Sequence, residues 1–374
     1  MFTDVLIKLA LAGFWIFIVL NLAGMQTWLE RKQSALMQDR VGANRAYFTL
    51  PWWWAAPINW VLRKLGGLGI LHAVADIIKL LTKEDFVPST GNTFLHWAAP
   101  WISVFFALIA FAAIPFGDSI QIAGRVVELQ VAHVDAALIY VLALASIGIY
   151  GVILAGMASQ TNLSALGGLR AISQMLAYGI ALGVSLVGIA IWYGTLDLQE
   201  IVRQQGQLWW GWVPAWGVFV QPLACIIFMT AALAETKRNP FDLPEGEPEI
   251  IGYFVEYSGM KFGLFFLTDF VETVLVAALT TVLFFGGWQV PYLQPTGFVF
   301  PWGGTIDLAR WMVVGLGVLA FITKMLVFIG LFMQIRWTLP RFRYDQLMRL
   351  GWKALFPLSL ANIGATGLLR VLVH

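Results

Sequence analysis

"VLIKLALAGFWIFIVLNLAG", residues 5–24, runs for twenty residues with a single charge, Lys8, and Arg31 and Lys32 follow it. At a rise of about 1.5 Å per residue, such a helix matches the roughly 30 Å hydrocarbon thickness of a bilayer. A cleaved leader carries its basic residues before the apolar core; here the basic pair comes after it. The stretch therefore reads as a retained span whose C-terminal end faces the cytoplasm.

Seven further stretches have the same character, about 97–116, 134–157, 172–193, 216–234, 262–286, 311–335 and 353–373. The whole chain agrees: of 374 residues, 59% are hydrophobic and 12% charged, with 18 Trp and 27 Phe, too apolar for an ordinary soluble domain. The fold class expected is an all-α integral membrane protein, one membrane domain over residues 1–374. It has eight transmembrane helices and an amphipathic surface helix in the first cytoplasmic loop.

Basic residues fix the expected orientation. With the N-terminus outside, the loops after spans 1, 3, 5 and 7 hold sixteen Lys and Arg, among them Arg45, Arg63, Lys64, Arg170, Lys261, Arg343 and Arg349, while the opposite loops hold Arg125, Arg203 and Arg310. Both termini are thus expected in the periplasm. A net charge of +2 argues for no nucleic-acid partner, and the single Cys225 excludes a disulfide framework, a Cys-rich metal site or an iron–sulfur motif.

The first cytoplasmic loop contains "GILHAVADIIKLLTKEDFVP", residues 69–88. His72, Asp76, Lys79 and Lys83 fall on one helical face, and Ile70, Val74, Ile77, Ile78 and Leu81 occupy much of the rest. The spacing predicts a surface helix over about 70–82.

Ionisable groups at membrane depth cost roughly 2.5–3.5 kcal/mol each, so each requires a partner, a wet cavity or a function. Asp135 and His133 lie near the start of span 3, at the interface or inside it. Asp269 and Glu272 share a face of span 6, and Lys324 is midway along span 7. The trio reads either as a structural ion pair or as a polar proton path. The largest anomaly is "AETKRNPFDLPEGEPEIIGYFVEY", residues 234–257, with six carboxylates: Glu235, Asp242, Glu245, Glu247, Glu249 and Glu256. Pro240 and Pro244 break any helix there. A charge run is commonly a solvated face, but Phe241, Leu243, Ile250, Ile251, Tyr253 and Phe254 are interleaved with the acids. Crowded carboxylates in a partly buried loop repel, raise one another's pKa and hold protons near neutral pH.

That loop, extended to Phe266 as "AETKRNPFDLPEGEPEIIGYFVEYSGMKFGLFF", closely resembles the signature of the H subunit of NADH-quinone oxidoreductase, the respiratory complex I component whose mitochondrial counterpart is NADH dehydrogenase subunit 1. "LERKQSALMQDRVGANR" (29–45), "ADIIKLLTKEDFVP" (75–88), "GGLRAISQMLAYG" (167–179) and "IRWTLPRFRYDQLMRLGWKALFPLSLANI" (335–363) fit the same family in the same order. The resemblance implies a subunit of the bacterial inner membrane. With other membrane-arm and peripheral-arm subunits it would enclose the chamber where quinone, the substrate, is reduced, and couple that reduction to proton pumping. NADH, flavin and iron–sulfur clusters are expected only in partner subunits, and no metal in this chain.

By motif match, the resemblance assigns Glu30, Arg31, Arg40, Asp76, Lys79, Lys83 and Glu84 to the chamber and its rim. It assigns Glu235, Arg238, Asp242, Glu245, Glu247, Glu249, Glu256 and Asp269 to proton coupling, joined by Glu272, Lys324 and Asp135 from the span analysis. Arg170, Arg336, Arg341, Arg343 and Asp345 match further family positions, the last loop also serving positive-inside anchoring. Three departures stand out. Gly179 follows Tyr178 where the family usually has Glu, and Asp135 is a candidate to replace it in space. "GAN" at 42–44 stands for Gly-Pro-Asn. Residues 46–69, with Trp52, Trp53, Trp54 and Trp60, form a Trp-rich insertion that either anchors at the headgroups or narrows the quinone entrance. The competing readings are the related membrane subunit of an energy-converting hydrogenase or formate hydrogenlyase, and a stand-alone ion or solute transporter. The absence of an internal repeat argues against the transporter.

Spin labels placed at His72, Asp76, Lys79 and Lys83 are expected to report polar surroundings; hydrocarbon depth along that stripe would overturn the amphipathic reading.

Overall fold

The computed structural model describes residues 2–89, 91–122, 125–209, 212–246, 250 and 252–373. The apolar runs form helices, as backbone groups removed from water must be satisfied within the segment. The first is α1 (Phe2–Met37), 36 residues and about 54 Å by helical rise, so it overshoots a bilayer core by several turns. Two short helices follow, α2 (Ala56–Leu68) and α3 (Leu71–Thr82), meeting at a 90° bend. Gly69 makes that corner: its φ of +86° is left-handed, and a Cβ there would lie 2.1 Å from the Ala43 carbonyl oxygen. The predicted surface helix at 70–82 is α3, with Lys83 capping its end.

Next come α4 (Thr93–Ile109), α5 (Ala137–Ala158), α6 (Asn162–Tyr193), α7 (Leu198–Gln205), α8 (Gly217–Val220) and α9 (Pro222–Glu235). The chain continues through α10 (Gly259–Phe284), α11 (Arg310–Thr338), α12 (Tyr344–Arg349) and α13 (Phe356–Val373), the last two fused by a π-helical turn at Leu350–Leu355. Among the described residues, seven helices are long and apolar enough to cross a membrane, and the chain is a multi-pass all-α membrane protein. The span expected at 216–234 differs. It is the one-turn α8 followed by α9, whose 14 residues cover only about 21 Å. Pro222 at its first turn lacks an N–H to continue a helix from α8.

Helix α10 is the axis of the bundle. It packs against α1, α3, α4, α7, α9 and α11, and it is buried all round from Thr273 to Phe284, as an apolar sequence on every side requires. The acidic loop enters α10 at one end of the bundle, the loop end. At the other end lie α7 and, among the described residues, three small antiparallel sheets. There Gln205 is fully buried: its Nε2 donates to the Val282 carbonyl at 2.8 Å, and its Oε1 accepts from Gly217 N–H and Gly286 N–H at 3.1 and 2.9 Å.

Lys324 belongs to this far end. Its Nζ donates to the carbonyls of Phe285, Gly287 and Gln289 at 2.7, 3.0 and 2.7 Å and lies 4.7 Å from the centre of the Trp216 ring. It closes the C-terminus of α10 instead of pairing with Asp269 and Glu272, and a lysine near terminal carbonyls is favoured there by their partial negative charge. A Lys324→Met variant is expected to unfold at lower temperature than the parent in detergent, by roughly 1–3 kcal/mol for buried acceptors left unbonded. An unchanged melting temperature would show that the ammonium is not what holds this end.

A buried charge cluster at the loop end

The loop between α9 and α10 is folded inward, which answers why its acids alternate with large apolar residues. Phe241, Leu243, Ile250 and Tyr253 are all buried. Gln174 of α6 stitches the loop to the bundle, its Nε2 donating to the carbonyls of Ala234 and Phe241 at 2.6 and 2.7 Å. Ser164 donates to the Tyr253 carbonyl at 2.6 Å. Between them Gly167 has no side chain; a Cβ would stand 3.0 Å from Tyr253 N and 3.1 Å from the Pro244 carbonyl oxygen, so only glycine lets the loop lie this close to α6.

Folding the loop inward brings its charges to those of α10. Lys237 Nζ lies 3.3 Å from Asp269 Oδ1 and 3.4 Å from Glu272 Oε2, and its side chain is only 2% exposed. Asp269 and Glu272 are one turn apart, so both carboxylates face the same ammonium. Glu245 is buried beside Asp269 and Asp242, and the three carboxylates repel one another. Burial opposes a charge on Lys237, yet Glu272, Asp269 and Glu245 outweigh it and hold the ammonium above its ordinary pKa. Burial, with repulsion from Asp269 and Asp242, keeps the Glu245 carboxyl well above the usual carboxylate range despite Arg238 nearby.

A second layer lies beside the first. Arg238 Nη1 donates to Glu30 Oε2 at 3.3 Å, and Arg336, from the last turn of α11, approaches Glu30 Oε1 at 2.9 Å. The guanidinium of Arg238 covers the Phe270 ring at 4.0 Å. Asp242, with a side chain 13% exposed, accepts from Arg341 at 2.5 Å. Burial pushes its pKa up to about 6, against the pull of Arg341 and Arg336. Gln26 Oε1, Gln33 Oε1, Arg238 Nη2, Asn239 Oδ1 and Asp242 Oδ1 are buried here without a protein partner; buried polar atoms of this kind are completed by water or ligand. Next to the first layer a cavity of about 30 Å³ is lined by Glu235, Thr236 and Glu272 at its polar end and by Leu182, Phe228 and Leu279 deeper in. That is enough for one or two waters.

The structure thus gathers Glu30, Glu235, Arg238, Asp242, Glu245, Asp269 and Glu272. Arg31 is paired with Asp76 at 2.6 Å, tying α1 to α3 along the same edge. Arg40, Lys79, Lys83 and Glu84 are exposed, and the Glu84 carbonyl accepts from Ser258. The Glu256 carbonyl faces His96 at 3.4 Å. Glu247 and Glu249 lie outside the described residues. Asp135 stands apart, exposed at the far end of α6 beside Gly194 and Leu196, fifteen residues and about 22 Å along the helix from Gly179. Lys237 and Gln174 are not among the candidates drawn from sequence. Two carboxylates at membrane depth do demand a cation, but the helical pattern offers Lys324, and only the folded loop supplies Lys237.

A carboxyl group with its pKa raised is protonated below that value and ionised above it. Infrared titration of the membrane-embedded protein is therefore expected to show a carboxyl C=O band lost with a midpoint near pH 6, missing from Asp242→Asn. A carboxylate titrating near its ordinary value of about 3.9 would contradict the burial assigned to Asp242.

Comparison with known proteins places the chain. A family profile described as NADH dehydrogenase matches residues 9–367. The H subunit of the NADH-quinone oxidoreductase of Thermomicrobium roseum is 42% identical over 366 residues, 96% of this chain and 95% of the relative. An H subunit of the same enzyme from Cytophaga hutchinsonii is 41% identical over 351 residues, 94% of this chain and 92% of the relative. Another, from Geobacter metallireducens, is 40% identical over 370 residues, 99% and 98% of the two chains. With matches of this length at both ends, the chain belongs to the family of H subunits of NADH-quinone oxidoreductase, respiratory complex I.

Proposed function

We propose that this chain forms much of the quinone-reduction chamber of a proton-pumping NADH-quinone oxidoreductase and passes the consequence of quinone chemistry to its buried carboxylates. The loop end faces the cytoplasm and the peripheral arm, as the Lys and Arg asymmetry between loops supports, with both termini periplasmic in a bacterial inner membrane. NADH, flavin and iron–sulfur clusters belong to partner subunits; a chain with one cysteine has no cluster ligands to offer.

The observation that carries the reading is the buried Lys237 ammonium between Asp269 and Glu272, with Glu245 crowded against them. Among the described residues the carboxylates Glu30, Glu235, Asp242, Glu245, Asp269 and Glu272 crowd around Lys237, Arg238, Arg336 and Arg341. Like charges in a dry site cannot all ionise, so protons are retained and their number responds to any added charge nearby. Reduction of a quinone to its hydroquinone consumes two electrons and two protons. A quinone bound beside α1, α3 and α10, near Glu30, Arg238 and Arg336, would bring that demand within reach of the loop. Protons drawn toward the reduced quinone would leave the cluster more anionic, and Glu272 and Glu235, at the cavity between α5, α6, α9 and α10, relay the change into the membrane.

Glu245→Gln keeps the shape and a donor toward Asp269 but has no proton to release. The variant, alone and with Glu247→Gln, is expected to assemble with its partner subunits while electron transfer from the natural donor to a quinone analogue falls by about 10²-fold, the low end for a lost acid–base group. Full turnover and full pumping in an assembled variant would refute the coupling role. Loss of the partner subunits would assign the loop to docking instead.

A further inference from the structure

Residues 46–69, read as an insertion, form an element that the proposed chamber does not use. Trp54, Ile58, Val61 and Leu68 recur at i, i+4, i+7 and i+14, and all four are exposed. Trp52 and Trp53 precede them, Trp53 being 90% exposed. Around the corner Val74, Ile77, Ile78 and Leu81 make the same kind of exposed stripe on α3. The side of α2 facing the protein is a different one: Asn59 bonds both backbone groups of Leu50 at 2.8 and 3.0 Å, and Gly66 leaves room for the Tyr47 side chain. The third side is basic, with Arg63 and Lys64, the latter 4.0 Å above the Trp60 ring. Between Asp39 and Asp76 the chain has four basic residues, Arg40, Arg45, Arg63 and Lys64, and no acidic one.

Depth decides what covers this surface. The apolar run of α1 ends at Gly24, and one turn later Trp28 Nε1 donates to the Leu68 carbonyl at 2.8 Å. Arg31 then holds Asp76 of α3. The corner between α2 and α3 is thus pinned at the level where hydrocarbon gives way to headgroups, which is where Trp and Lys side chains settle. A helix with one face on the protein, one apolar and one basic fits a membrane surface whose headgroups are negative.

We propose that the α2–α3 corner is a docking surface for anionic phospholipid. The Trp54 and Ile77 stripes enter the acyl region, while Arg63, Lys64 and Arg45 hold phosphate and the extra headgroup charge. The corner also carries Asp76, so the bound lipid would set the position of one wall beside α1.

Trp53 is exposed and replaceable. With a photo-crosslinking benzophenone amino acid in its place, the whole enzyme complex is reconstituted in nanodiscs of phosphatidylcholine with phosphatidylglycerol, irradiated, and the adducts weighed by mass spectrometry. The result expected is phospholipid adducts enriched in phosphatidylglycerol over its share of the bilayer. Enrichment should fall by roughly fivefold for each basic residue removed, in Arg63→Ser and in Arg63→Ser with Lys64→Ser. The same probe at Trp311, exposed at the opposite end of the bundle, should show no such enrichment. Crosslinks to another subunit's polypeptide, no lipid adduct, or adducts that mirror bilayer composition would each overturn the proposal. Quinone turnover is not the readout, so such a failure leaves the reading of the charge cluster standing.

Discussion

An ammonium 2% exposed between two carboxylates is the constraint on which the loop end depends. Removing Lys237 from water is unfavourable by itself, and so is removing Asp269 and Glu272; each becomes tolerable only with the other in place. The pairing therefore demands that the segment after α9 turn back to α10. Everything that makes the turn possible follows: the apolar residues of the loop become core, Gln174 takes up its free carbonyls, and Gly167 gives way to its backbone. A loop built to place charges is in this way as firmly packed as the helices it joins.

The same geometry explains why the helices are so unequal. α1 and α11 run well past the hydrocarbon at the loop end, and their overhangs carry Glu30 and Arg336 to the cluster. α9 stops at the cluster and covers less than a full bilayer thickness, its other end being preceded by α8, whose Gly217 N–H donates to Gln205 of α7. Lys324 then closes α10 from the side of α11. Two lysines thus fasten one buried helix, Lys237 midway along it through side-chain carboxylates and Lys324 at its C-terminus through backbone carbonyls.

Much of this is legible from the residues alone. Length and apolarity set the helices, since in a bilayer no other local structure satisfies the backbone, and the period of 70–82 places α3 to within a residue. The motifs in the acidic loop and the two flanking segments are long enough to mark the family. Even the inward fold of the loop is foreshadowed, because Phe241, Leu243 and Tyr253 have no reason to alternate with acids on a solvated face. The span at 216–234 misleads for a definite reason: hydropathy reports that a segment avoids water but not that it is one helix, and Pro222 divides it.

What tertiary structure alone decided is the choice of partners. Local pattern placed Asp269, Glu272 and Lys324 at similar depths, and nothing in helical spacing distinguishes a lysine on another helix of the bundle from one delivered by a loop. Lys237 is separated from Asp269 by 32 residues of chain, and Arg238 from Glu30 by 208. Asp135, near in sequence to the helix before Gly179, ends at the opposite end of α6 because antiparallel neighbours bring the end of one helix beside the start of the next. Sequence determined which groups must be paired, through the cost of burying charge; the packing of the bundle determined with whom, because that depends on distances across space that no local periodicity records.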